Sequence, residues 1–159
     1  MAAAEDLRPF RPCVGIMLFN GDGKVFVGAR IDIDGDHWQM PQGGIDEGEG
    51  PRYAALRELA EEVGTKKAEI VAECDHWISY TLPGDLSRRA WEGRYQGQTQ
   101  RWFAMRFDGS DDDIRIDGPH PEFKAWRWAD VDELVELTVP FKQASYREVI
   151  SAFRHLVKP

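Results

Sequence analysis

Long apolar runs are missing from the 159-residue chain, and none approaches the roughly 20 residues that a membrane helix needs. A membrane-spanning protein is therefore not expected. Cysteine is scarce: Cys13 and Cys74 stand far apart, too few and too isolated for a zinc ribbon or a C-x-x-C redox pair, so core packing is their expected role. Positive charge is in deficit, with 20 Lys and Arg against 28 Asp and Glu and a formal charge of -8. Such a field does not hold a nucleic-acid backbone non-specifically. It does permit recognition of one end, because divalent ions held by carboxylates reverse the local sign. Met1 to Asp6 carries a short alanine run followed by acids, without the basic start and apolar centre of a secretory signal, so a cytoplasmic address is expected. Repeats, low-complexity tracts and linkers are also lacking, and the length fits a single domain over residues 1–159.

What is present reads as alternating elements. Val14 to Phe19 is a buried strand, Asn20-Gly-Asp-Gly23 a tight turn and Lys24 to Val27 a returning strand. Ile31 to Gly50, rich in Asp and Gly, reads as a loop, and Pro51 suits a first helical turn. Leu56, Leu59, Ala60 and Val63 recur at i, i+3, i+4 and i+7, and Gly64 is the expected stop. Strands follow at Ala68 to Glu73, His76 to Leu82 and Thr99 to Phe107, then a short aromatic one at Glu122 to Trp128. Helical stretches at Val131 to Leu137 and Lys142 to Val157 close the chain. The order predicts an α/β protein with a mixed sheet between helices.

The helix over residues 51–63 carries three acids. At 100° per residue from Leu56, its apolar residues centre at about 350° and Glu58, Glu61 and Glu62 at about 195°, which puts the acids opposite the expected core stripe. A solvated face is one reading. Against it, Glu58 has like-charged neighbours at both i+3 and i+4, closer than solubility requires. Gly43 and Gly44 let the preceding loop approach closely, so a glycine carbonyl and several carboxylates converge as hard oxygen ligands suited to Mg²⁺ or Mn²⁺.

The run Gly43 to Thr65, GGIDEGEGPRYAALRELAEEVGT, resembles the Nudix box at Gly43, Glu49, Arg57, Glu58, Leu59, Glu61, Glu62 and Gly64. Thr65 departs from it, standing where the family has an aliphatic residue. The resemblance implies the Nudix fold, an α/β/α arrangement, and a hydrolase that cuts phosphoanhydride bonds with Mg²⁺ or Mn²⁺. It implies Glu58, Glu61 and Glu62 as catalytic metal ligands, the Gly43 carbonyl as a further ligand, and Glu122 as an extra ligand or the base. Arg57 is the expected group that orients Glu49 or Glu61, an ordinary i,i+4 ion pair being the alternative. Glu49 is also suited to a helix start.

Further likeness lies in Arg11-Pro-Cys-Val-Gly15, Trp38-Gln-Met-Pro-Gln-Gly-Gly-Ile45, Gly97-Gln-Thr-Gln-Arg-Trp-Phe103, Pro121 to Trp128 and Val139-Pro-Phe-Lys142. These resemble the bacterial branch that holds RNA pyrophosphohydrolases and diadenosine polyphosphate hydrolases. The expected substrate is therefore a triphosphorylated RNA 5′ end, with a dinucleoside polyphosphate as the alternative and a catalytically silent nucleotide- or RNA-binding module as the rival. The likeness makes Arg11, Arg30 and Lys142 candidate substrate contacts. Phe141 becomes a candidate base-stacking platform, core packing being its other reading, whereas Trp38, Trp126 and Trp128 are expected to pack. Arg88, Arg89 and Arg94 make the loop after Pro83 locally basic, open to phosphate or merely solvated.

Overall fold

The computed structural model describes residues 5–158, so the alanine run before Glu5 lies outside the described residues. The elements in order are β1 (Phe10–Phe19), β2 (Val25–Arg30), β3 (Gln42–Gly44), α1 (Pro51–Glu62), β4 (Ala68–Glu73), β5 (Ile78–Thr81), α2 (Gly84–Arg89), β6 (Gly97–Phe107), β7 (Phe123–Ala129), α3 (Leu134–Leu137) and α4 (Gln143–Phe153). The mixed sheet runs β4-β6-β1-β2-β7. Its spine is the parallel pair β1 and β6, in register from Phe10 with Gly97 to Phe19 with Arg106.

β1 and β2 pair only at Phe19 and Val25. The gap that opens beyond this contact is filled by the segment read as loop. Gln39 exchanges both backbone hydrogen bonds with Gly28 of β2, and Ile16 of β1 donates to the Pro41 carbonyl at 2.9 Å. Gln42, Gly43 and Gly44 then pair antiparallel with Gly15, Val14 and Cys13. The strand β3 is thus a correction to the expected loop. Three residues of Gln and Gly carry no alternating pattern, and only the opening in the sheet makes them a strand. α2 likewise replaces part of the loop expected after Pro83.

Alternation along the central strands divides the core. Val14, Ile16, Leu18, Phe103 and Met105 face α1, packing with Ala54, Ala55, Leu59 and Val63. Met17, Phe19, Trp102 and Ala104 face α4, packing with Tyr146, Val149 and Phe153. Both faces are therefore covered by helices, which is the expected layering. Gly64 ends α1 at φ 75°, where a Cβ is disfavoured, and its N–H bonds the Leu59 carbonyl.

The wheel for α1 needs correcting. Its buried residues are Ala54, Ala55, Glu58, Leu59 and Glu62, while Leu56 is 43% exposed. Two of the three acids therefore lie on the inward face, among the alanines, and only Glu61 is turned outward among them. Cys13 and Cys74 are buried free thiols, and burial pushes the Cys13 thiol up to about 11, in keeping with a packing role. No helix among the described residues is long and apolar enough to cross a membrane.

Candidate active site

α1 sets Glu58 and Glu62 one turn apart, and β3 slides its glycine under them. A Cβ on Gly43 would stand 2.0 Å from Cδ of Glu58, so only glycine allows this approach. Gly44 lies beside the Arg11 guanidinium.

Arg57 fastens the two elements. Its Nε and Nη2 fork onto Glu49 at 2.7 and 2.8 Å, and Nη2 also donates to the Gly44 carbonyl at 2.8 Å. Nη1 donates to Glu58 at 3.0 Å and Glu61 at 3.1 Å. The expected choice between Glu49 and Glu61 thus resolves into both, with Glu58 added. A two-pronged, charge-assisted fork of this kind has fixed geometry as well as strength. It holds the Glu49 carboxyl down to about 2 and raises the Arg57 guanidinium.

Glu58 and Glu62 are less well served. Burial lifts Glu58 to about 6 against the opposing pull of Arg57. Burial, then the charges of Glu58 and Glu122, lift Glu62 well above the ordinary carboxylate range. Oε2 of Glu62 is buried without a hydrogen-bond partner. A buried carboxylate in that state demands a proton or a cation. The unpaired oxygen, the Glu58 carboxylate and the bare Gly43 backbone would offer an all-oxygen donor set, which fits a hard divalent cation.

Glu122 enters from the start of β7. Its carbonyl accepts the Ile31 N–H at 2.9 Å, and its side chain reaches within 3.6 Å of Arg30. Arg30 is forked onto Asp32 by two bonds of 2.7 Å. A phosphate at Arg30 would therefore compete with Asp32.

These groups share one cleft of about 460 Å³: Gly43, Glu58, Glu61, Glu62, Glu122, Arg11 and Arg30 all line it. Three expected site residues do not. Arg57 is instead bonded to Glu49, Glu58 and Glu61. Lys142 is buried, donates to Oε1 of Gln39 at 3.1 Å, and is brought down to about 8 by burial and then by Arg30. Phe141 is half-buried in the turn Pro140–Lys142, its ring 5.7 Å from Tyr80, and belongs to neither core cluster. Arg88 and Arg89 are exposed and also lie outside the lining.

The cleft also holds residues that were not expected to line it: Gln42, Gln98, Trp91, Pro119 and His120. For the glutamines a signal existed. Gln98, Gln100 and Trp102 alternate along β6, and they form a buried chain in which Gln100 donates to Gln42 at 2.9 Å and to Gln98 at 3.2 Å, while Trp102 donates to Gln100 at 3.2 Å. Trp91 offered only an aromatic side chain in a charged loop.

Comparison with known proteins bears on the family and the fold. The family model for the NUDIX domain matches residues 9–153. The chain is 55% identical over 152 residues to the RNA pyrophosphohydrolase of Wolbachia pipientis subsp. Culex pipiens, covering 95% of this chain and 93% of that one. It is 56% identical over 147 residues to the RNA pyrophosphohydrolase of Roseobacter denitrificans, covering 91% and 92%. Among solved structures, the dihydroneopterin triphosphate pyrophosphohydrolase of E. coli matches with a TM-score of 0.69 at 24% identity, over 92% of this chain and 97% of that one. An Ap4A hydrolase of C. elegans matches at 0.61 and 17%, over 91% and 98%. At those identities the structural likeness speaks for the fold alone. With the family model spanning nearly the whole chain and relatives more than half identical along it, the protein belongs to the Nudix family.

Proposed function

We propose that this protein removes pyrophosphate from the triphosphorylated 5′ end of RNA. The observation that carries the reading is the convergence of Glu58, Glu61, Glu62 and Glu122 with Arg11 and Arg30 in one cleft. RNA is chosen as the substrate because relatives of 52–56% identity bear the name RNA pyrophosphohydrolase. A silent binding module is disfavoured, since binding alone does not call for two buried carboxylates at a cost in stability. Dinucleoside polyphosphates are disfavoured too, because likeness to the Ap4A hydrolase concerns only the fold.

Glu58, Glu61 and Glu62, with the Gly43 carbonyl, would hold Mg²⁺ or Mn²⁺, with Glu122 as a further ligand or the base. Bound there, a divalent ion supplies neutralisation of the phosphate oxygens and acidification of a water. Arg57 keeps Glu58 and Glu61 in fixed geometry and is itself held by Glu49. Arg11 and Arg30 bind phosphate oxygens. Glu122, half-exposed at the cleft wall, takes the proton from the attacking water as the α–β anhydride breaks and pyrophosphate leaves with the bonding electrons. Phe141, half-buried with its ring 5.7 Å from that of Tyr80, would stack a base further along the RNA.

The test is product analysis with triphosphorylated RNA and diadenosine tetraphosphate side by side, at equal enzyme and Mg²⁺. Pyrophosphate and monophosphorylated RNA should form faster than mononucleotides from the dinucleotide. The reverse ranking would reject the RNA reading and leave the hydrolase.

A further inference from the structure

Between α2 and β6 the backbone does something costly. Trp91 and Glu92 have φ of 50° and 60°, and Gly93 follows at 73°. Left-handed backbone crowds the Cβ of any residue but glycine, and two such residues in succession persist only when their surroundings hold them. Arg8 supplies the hold. Its Nη1 donates to the carbonyls of Ser87 at 3.2 Å and Gly93 at 3.0 Å, and its Nη2 to Oγ of Ser87 at 3.1 Å. Gln96 adds a bond to the Pro9 carbonyl at 3.1 Å. The turn is thus tied at both ends to the N-terminal segment, by Arg8 and by the Pro9 carbonyl.

The effect of this conformation is to keep the Trp91 indole in the wall of the glutamate cleft. The indole belongs to neither core cluster, so packing the core does not explain it. The Arg11 guanidinium lies 5.1 Å from its ring centroid, and Tyr95 meets it edge-on at 6.0 Å. Among the described residues Arg11 forms no ion pair with a carboxylate, although acids dominate the cleft. A half-buried indole in the cleft wall, with a guanidinium over it whose one side-chain bond is to the Cys13 sulfur, suits a planar group that carries a phosphate.

We infer that Trp91 is a stacking platform for the nucleobase at the RNA 5′ end, with Arg11 receiving the phosphate next to it. The inference rests on the RNA reading above and adds a site to it. Stacking on an indole tolerates any base, because every base presents a π face. Arg8 is then a positioning residue, since it holds the turn without touching the ligand.

The experiment is equilibrium binding of a short, 3′-labelled, 5′-triphosphorylated RNA to the full chain in Ca²⁺, with tripolyphosphate as the same anion without a base. Trp91→Ala should weaken RNA binding about tenfold, and Trp91→Phe should recover most of it. Tripolyphosphate should lose less than about twofold, a selectivity that a collapsed turn would not produce. If wild type prefers RNA over tripolyphosphate and Trp91→Ala keeps that preference, the platform is overturned and the RNA reading stands. Equal losses for both ligands in a variant with an unchanged melting midpoint also overturn it. A wild-type chain that binds RNA no tighter than tripolyphosphate overturns both.

Discussion

α1 and α4 cover opposite faces of one sheet and are nearly equal in length, yet they bury different things. α4 turns Tyr146, Val149 and Phe153 inward against Met17, Trp102 and Ala104. Each such large side chain removed from water contributes roughly 1.5–3 kcal/mol. α1 buries Ala54, Ala55 and Leu59, but beside them Glu58 and Glu62. The alanines bring the helix close to β1 and β3, and the acids then have no water to solvate them and only Arg57 to pair one of them. One helix face holds the fold together; the other is left under electrostatic tension that a bound cation would relieve.

Substitutions on the two helices should therefore have opposite signatures. Phe153→Ala should cost about 3–5 kcal/mol of stability, read as a fall in the denaturation midpoint. Its kcat/KM below the transition should stay within about threefold of wild type, since the site lies across the sheet. A loss of efficiency in the folded variant would show that the two faces are coupled.

Glu62→Gln should do the reverse. Removing a preorganised charge at a reacting centre commonly costs about 2.7–4 kcal/mol in the barrier, so turnover should fall at least about a hundredfold at saturating Mg²⁺. Its melting midpoint in chelator at pH 7 should rise, because the amide removes the cost of burying a carboxyl that ionises when the chain unfolds. Near wild-type turnover would remove Glu62 from the site, and a lowered midpoint would contradict the tension ascribed to α1.

A smaller effect follows from pH. Glu58 has a folded pKa of about 6, raised above its ordinary 4.5 by burial. A carboxyl of this kind stabilises the fold fully below about pH 4.5, and that contribution, about 2 kcal/mol, is lost as the pH rises through 6. Without metal, stability should fall from pH 5 to pH 7, with Glu62 acting in the same direction. Mn²⁺ competes with protons for these oxygens and should restore most at the upper end. Melting midpoints measured with and without Mn²⁺ should diverge with pH; parallel curves would mean that the ion binds elsewhere.

Residue type alone could not reveal this division. The buried strand Val14 to Phe19, the stop at Gly64 and the glutamate spacing were all legible, because each is a local pattern. The phase of α1 was not. Leu56 looked like a core residue, but the covering partner is the close-lying β3, which admits only small side chains and the carboxylates. β3 itself had no pattern to read, since a gap between β1 and β2 creates it. Lys142 stands in the run Val139-Pro-Phe-Lys142 that resembles the bacterial branch and so was expected to meet substrate, whereas tertiary packing buries it against Gln39. Trp91 depends on a turn that Arg8 closes from far away in sequence, a relation invisible to any local window.

The parallel spine bears on how the chain is made. Phe10–Phe19 is apolar and buried from Cys13 onward, yet its β6 partners lie roughly 87 positions further on, and such non-local pairing is slow to close. During synthesis from the N-terminus, this strand emerges long before β6 exists. β2 and β3 can pair with its other edge meanwhile, but the edge that takes β6 stays open to neighbouring chains or to a chaperone. Aggregation during expression should accordingly track the delay before Gly97–Phe107 leaves the ribosome, even in variants whose finished fold is sound.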